Sequence, residues 1–332
     1  MQAKPRIAVI GAGDNACNAV ELVKERFGFC AVVADVALDA QWRGRTEGAV
    51  QAAGRLGCPV VSVTHPDAAI ERLQEMGVDL VLMCGTKWIL SDRFITALKR
   101  RVINLHPSRL PSHGGGGVFS WQILNGIEYL SISVHWVTIE IDSGPLIFTE
   151  EYSDTKLRTP IEFIEKYYEQ HPHAVTVLLD ILTGDPDLAP PPSQAGHHTT
   201  RARTYFPLLN SEVNGALDWT WSLDELERFL RAFGKPYKGA FSYFGDTKFH
   251  IANWRAVADR SMHPFCHGLV LTKGSDDSVR VACREGYIEI IDICVEGEPG
   301  VERKASTLVK VGGRVWVPHA VADQSRTFRQ HP

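Results

Sequence analysis

The sequence has no apolar run near the roughly 18 residues that a membrane span needs. Its opening, MQAKPRIAVIGAG, enters a strand without the long apolar core of a secretory leader, so a cytoplasmic protein is expected. The seven cysteines, at 17, 30, 58, 84, 266, 283 and 294, form no Cys-x-x-Cys pair, which leaves a zinc ribbon or a thioredoxin-like motif without support. Several fall inside apolar, strand-like runs and are expected as buried free thiols. An excess of one charge is also missing. With 35 basic and 39 acidic residues the formal net charge is -4, so the molecule as a whole is no polyanion binder. Internal repeats are absent as well.

What is present is an ordinary globular composition, 44% hydrophobic and 22% charged over 332 residues, which points to two domains. Ile7 to Ile10 is an unbroken apolar run ended by Gly-Ala-Gly, the pattern of a strand buried on both faces. Strands are expected again at Cys30 to Ala34, Pro59 to Val63, Leu80 to Cys84 and Val102 to Leu105, with a longer one from Ser131 to Ile141. Helical spacing marks Ala19 to Phe27, Ala68 to Met76 and Ile161 to Leu182. This alternation predicts an α/β fold with a Rossmann-like, parallel-rich sheet, helices on both faces, and ligands at the carboxyl ends of the strands. Asp185 to Thr200 is rich in proline and polar residues and reads as a linker. Leu223 to Phe233 is a helix opened by Ser222-x-x-Glu225. From Tyr237 to Val311 short strands broken by glycine predict a smaller β-rich, open-barrel domain of OB type. The expected division is 1–184, linker 185–202, β-rich domain 203–312 and tail 313–332, polar and loose from Pro318 to Pro332.

The chemistry-bearing stretch is NLHPSRLPSHGGGGVFSWQILNGIEYLSISVHWVTIEIDSG, from Asn104 to Gly144. Asn104 and His106 lie two apart at a strand end and so share a face. A carboxamide donates to a developing oxyanion, and an imidazole moves a proton near neutral pH. Ser108 to Gly117 turns the chain through four consecutive glycines, letting backbone approach a ligand. Asp142-Ser143-Gly144 brings a carboxylate from the end of another strand. Singly, Asn104 reads as a strand-end cap, His106 as a satisfied histidine and Asp142-Ser143-Gly144 as a turn. Together they form a workable acyl-transfer set.

Asn104, His106, Ser108, Leu110, Pro111, Gly115, His135, Asp142 and Gly144 resemble the signature of the 10-formyltetrahydrofolate-dependent formyltransferases, over about residues 5 to 190. A second match, Asn214-Gly-Ala-Leu-Asp-Trp219 followed by Arg231-Ala-Phe-Gly-Lys-Pro-Tyr-Lys-Gly-Ala-Phe241, resembles the open-barrel domain of the tRNA enzymes and some of the sugar enzymes. The resemblance implies catalytic roles for Asn104, His106 and Asp142, and 10-formyltetrahydrofolate as co-substrate, with no metal. It implies a folate site made by Trp88, Ile89 and Leu90 on one side and Thr138, Ile139, Glu140, Ile141 and Asp142 on the other. Ser108, Gly115 and Gly116 are the expected substrate contacts. Many relatives carry arginine and proline in the glycine turn, where this chain has Gly114 to Gly117 and then Val118.

The acceptor implied most strongly is a nucleotide-linked amino sugar. A tRNA enzyme needs a basic face, yet the segment after the second strand, from Asp39 to Glu47, holds two arginines, and Asp276-Asp277 and Glu296-x-Glu298 would face phosphates poorly. Nucleic acid and membrane are not the expected partners. Methionyl-tRNA, a small natural-product amine such as hydroxyornithine, and folate hydrolysis remain as alternatives, and a homodimer is left open. Trp121, Trp136, Trp219 and Trp221 are candidates to stack on a base, although core packing is their commoner role. A reading of another class starts from Gly11-Ala-Gly13-Asp-Asn-Ala16 with Asp35, a dinucleotide-binding fingerprint that would make the chain an NAD-binding oxidoreductase.

Overall fold

The computed structural model describes residues 4–39, 47–185, 187–189, 203–298 and 300–328. The arginines expected after the second strand, most of the expected linker, and His197 and His198 lie outside them. The chain forms two compact units. One comprises Met1–Gly115, Tyr129–Asp154 and Ile164–Tyr205, the other Gly116–Glu128, Thr155–Phe163 and Phe206–Pro332.

Along the chain come β1 (Ile7–Gly11), α1 (Gly13–Phe27), β2 (Cys30–Ala34), α2 (Val36–Asp39), α3 (Ala49–Arg55), β3 (Val60–Ser62), α4 (Ile70–Glu75), β4 (Leu80–Cys84), α5 (Asp92–Ala97), β5 (Val102–His106), β6 (Gly114–Gly115), α6 (Val118–Leu124), β7 (Leu130–Trp136), β8 (Leu146–Tyr152) and α7 (Pro160–Gly184). The first unit is built on a seven-stranded sheet in the order β3-β2-β1-β4-β5-β7-β8. Its first five strands run parallel, and β7 runs antiparallel to both of its neighbours, β5 and β8. Strands β1, β2 and β4 are buried along their whole length, as unbroken apolar runs in a two-faced sheet must be. One face carries Ala8, Ile10, Ala31, Val33, Val81 and Met83 against Leu73 of α4 and Phe94 of α5. The alternate residues turn to the opposite face, where α1 and α3 pack and Arg26 of α1 pairs with Asp180 of α7.

Two expectations need correction, and one strand went unforeseen. The long strand expected from Ser131 to Ile141 stops at Trp136, because the chain doubles back on itself just after it. Strand β8 was not legible: its residues are all at least partly exposed, so it carries neither an apolar run nor a clean alternation. The tail is not wholly loose, since His319–Ser325 is a helix whose Ser325 carbonyl accepts from Asn214 Nδ2 at 2.8 Å.

After β9 (Tyr205–Phe206), whose first residue closes the first unit, the second unit continues through α8 (Ser211–Asn214), α9 (Leu223–Ala232), β10 (Phe241–Phe244), β11 (Thr247–Ala258), β12 (Val270–Lys273), β13 (Val279–Cys283), β14 (Gly286–Val295), β15 (Glu302–Lys304), β16 (Val315–Trp316) and α10 (His319–Ser325). Its antiparallel half-barrel runs β12-β13-β14-β11-β10-β16, with β15 on β14. Register shifts at Ile251, Asn253 and Trp254 bend β11, as an inserted residue does. The helix start expected at Ser222 is a full capping box. All seven cysteines are free, five of them buried. Among the described residues no helix is long and apolar enough to cross a membrane.

Candidate active site

The side chains singled out around Asn104 all belong to the first unit. β5 and β7 pair in the register Asn104↔His135 and His106↔Ser133, which sets the His135 ring beside the Asn104 amide at 3.1 Å. His135 Nδ1 donates to the Trp136 carbonyl at 2.9 Å, so its Nε2 carries the lone pair and accepts from Asn104 Nδ2. One N–H of the amide is thereby fixed, and the second remains for another acceptor.

His106 is buried, and its Nε2 donates to the His113 carbonyl at 3.0 Å. The Ser108 hydroxyl donates to the same carbonyl. This leaves His106 Nδ1 facing Asp142 Oδ2 at 3.6 Å. On its other side Asp142 Oδ1 is 3.7 Å from His135 Nε2, and the Gly115 N–H donates to Oδ2 at 2.8 Å. The carboxylate thus sits between two imidazoles at separations longer than a hydrogen bond. Such a gap suits a bridging water or substrate atom.

Asp142 does not end a strand, as expected from sequence, but sits in a tight loop with φ 51°. The loop is tied internally. The hydroxyls of Thr138 and Ser143 both donate to the Glu140 carbonyl, at 3.1 and 2.8 Å. At Gly144 a β-carbon would lie 1.7 Å from the Trp136 carbonyl oxygen, so only glycine lets the chain return over the end of β7. The Asp-x-Gly spacing is therefore a geometric requirement for presenting the carboxylate.

The expected substrate contacts are placed differently from one another. Ser108 is fully buried and its hydroxyl is committed to the turn, so it presents no surface. Gly115 gives its N–H to Asp142. Gly116 donates to the Phe206 carbonyl at 3.0 Å, and a β-carbon on it would lie 3.1 Å from Leu208. Its smallness accommodates the protein's own chain, where close approach to a ligand was expected. Trp136 is buried in β7 and offers no ring face.

Of the two expected folate segments, Trp88 and Leu90 pack on the apolar cluster that also receives Val137, next to the Thr138 to Asp142 loop. Ile89 and Ile139 are 47% and 66% exposed. Among the described residues the backbone groups of Ile89 and Leu90 take no hydrogen-bond partner.

Sequence reasoning did not find Arg203, Thr204 or Tyr205. Arg203 donates to the Glu140 carboxylate at 2.6 Å and to the Ile141 carbonyl at 3.0 Å. Thr204 accepts the Gly114 N–H at 3.0 Å. Burial and the Asp142 charge push the Tyr205 phenol up, and burial together with His106 holds the His113 imidazole down. These three residues lie beyond a proline-rich stretch, and no local spacing connects them to Asp142.

The dinucleotide reading weakens. A β-carbon on Gly11 would lie 1.8 Å from the Cys84 carbonyl oxygen, so strand packing accounts for the first glycine of the dinucleotide fingerprint. Asp14 is buried in the first turn of α1, where a pyrophosphate would meet like charge. Cys17, Glu21 and Glu47 are close enough to share an ion, but Arg55 already bonds both glutamates.

Against known proteins, the solved structures of HypX from Aquifex aeolicus match over 91–92% of this chain at 15–16% identity and TM-scores of 0.55–0.56. This chain spans about half their length, 46–48%; one of those structures is a complex with tetrahydrofolic acid. An N-formyltransferase from Helicobacter canadensis, in complex with folinic acid and dTDP-3-aminofucose, matches with TM-score 0.63 at 15% identity, covering 86% of this chain and 98% of that one. WlaRD, a sugar 3N-formyl transferase solved with dTDP and 5-N-formyl-THF, matches with TM-score 0.61 at 15% identity, over 89% and 99%. The family model described as formyl transferase matches residues 5–175, and the one described as formyl transferase, C-terminal domain, matches residues 211–305. With both models in order along one chain, and the first alone spanning half of it, this protein belongs to the formyl transferase family.

Proposed function

We propose that the chain moves a formyl group from 10-formyltetrahydrofolate to the amine of a nucleotide-linked amino sugar. The observation that carries this reading is the convergence of Asn104, His106 and Asp142, with the second Asn104 N–H left over and the carboxylate between two imidazoles. The neutral amine attacks the formyl carbon. The carbonyl oxygen, becoming an oxyanion, accepts from that remaining N–H and from the Nδ1–H of a doubly protonated His106. Nε2 of His106 is committed to the His113 carbonyl, so Nδ1 is the position that exchanges a proton, and it faces Asp142. A water bridging the two takes the proton from the attacking nitrogen and returns it to the departing N10. Losing one such donor typically costs ~3–4 kcal/mol of barrier.

The donor's ring system fits between the 88–90 segment and the 138–142 loop, supported by the unpartnered backbone of Ile89 and Leu90 and the exposed side chains of Ile89 and Ile139. An amino-sugar acceptor draws support from the near-complete coverage of both sugar enzymes and from the lack of a basic face in the sequence. Mass spectrometry of a nucleotide-amino-sugar panel incubated with enzyme and 10-formyltetrahydrofolate tests it. One substrate should gain the mass of one formyl group. Formylation of methionyl-tRNA with no sugar changed would replace this acceptor with the nucleic acid.

A further inference from the structure

A cavity of about 710 Å³ opens within the second unit, large enough for a nucleotide-sized ligand. Its wall includes Trp219, Trp221, Trp316 and Phe229. The indole N–H groups of Trp219 and Trp316 are spent on Ser242 Oγ at 3.0 Å and the Gly245 carbonyl at 3.2 Å, so these residues can offer the cavity only ring surface. Trp221 lies against Phe229 with ring centroids 4.9 Å apart, and Trp316 is 42% exposed.

The polar part of the same wall is incompletely satisfied. His267 is buried, and neither ring nitrogen has a hydrogen-bond partner among the described residues. Buried polar atoms are seldom left so, because each costs free energy until something pairs with it. Arg314 bonds only the carbonyls of Phe265 and His267 and has no carboxylate partner among the described residues. The guanidinium keeps further N–H donors in reserve. The formal charges balance: Asp218 pairs with Arg326 at 2.9 Å, and Asp323 offsets Arg314 across the same cavity. A wall of zero net charge does not select a multiply charged phosphate. Aromatic faces beside unsatisfied donors and acceptors select a flat ring with a polar edge.

We propose that this cleft binds a planar heteroaromatic ring of nucleobase or pterin type, stacked on Trp221 and Trp316 with its polar edge toward Arg314 and His267. The residues that line it all belong to the second unit, and the proposal does not depend on the formyl-transfer reading.

Calorimetric titration of the full chain with thymidine monophosphate, uridine monophosphate and folic acid tests this, beside hydrogen-exchange mapping of the unmodified protein. At least one ring should bind and protect the peptides around Trp221 and Trp316. Trp316→Ala and Arg314→Gln should each weaken that event by roughly tenfold or more, while Asn104→Ala leaves it unchanged. Protection of these peptides by the monophosphates alone assigns a nucleobase, and protection by folic acid alone assigns a pterin. No protection of these peptides with any of the three ligands overturns the proposal. So does protection of these peptides that both substitutions leave unchanged.

Discussion

His171 of α7 is fully buried, and neither of its ring nitrogens has a hydrogen-bond partner among the described residues. Its ring meets Tyr167 edge-on, with centroids 5.4 Å apart. Burial pulls its pKa from 6.5 down to about 3. The unfolded chain therefore takes a proton near pH 6.5 that the folded chain refuses until about pH 3. The resulting penalty is absent above that range and grows as pH falls through it. Between about pH 7.5 and about pH 5 this one group removes about 2 kcal/mol of stability. His171→Leu keeps the burial and deletes the proton site. Urea-dependent alkylation of Cys84, a fully buried thiol on β4, reads opening of the same unit at the two pH values. The variant should lose about 2 kcal/mol less than the parent on acidification. Equal losses in both proteins would show that His171 takes its proton while folded, and the account of its burial would be wrong.

Asn104→Ala and Asp142→Ala should each lower single-turnover formyl transfer by roughly 100- to 1,000-fold with unchanged circular dichroism; near-parental rates in either would remove that residue from the reaction. His135→Leu frees the Asn104 amide that the imidazole now fixes at 3.1 Å, and should lower kcat more than it raises KM; a pure KM effect would argue against positioning. Gly144→Ala drives a β-carbon into the Trp136 carbonyl and should abolish activity, whereas Gly184→Ala meets no atom within 4 Å and should leave activity and melting intact. Ser222→Ala removes the cap of α9 and should cost about 1 kcal/mol in an urea melt followed through the second unit.

The parts of this fold that announced themselves in the sequence are those whose residues face one environment along their length. β1, β2 and β4 are buried throughout and read as apolar runs; Ser222 and Glu225 cap their helix through contacts three residues apart. β8 gave no such signal because Leu146, Thr149 and Glu150 are all half-buried at the sheet edge. The end of β7 was misread for a related reason. Val137, Thr138 and Ile139 have the side chains of a strand, and only the close pass of Gly144 over Trp136 stops it. Asn104, His106 and Asp142 were recognisable by type and order. The part played by His135 follows from which residue of β7 stands opposite Asn104, and register between distant segments is not encoded in local spacing.

Arg203 and Thr204 lie some sixty residues beyond the loop and about ninety beyond the turn that they hold, yet the first grips Glu140 and Ile141 and the second grips Gly114. A polypeptide ending at residue 185 would contain every strand of the parallel-rich sheet and every member of the Asn104–His106–Asp142 set. It would still lack the two latches that fasten the carboxylate loop and the glycine turn. The smallest active fragment of this protein is therefore set by where those latches fall, about twenty residues past the last helix of the sheet, and excision at residue 185 would keep the sheet's strands and slacken the site.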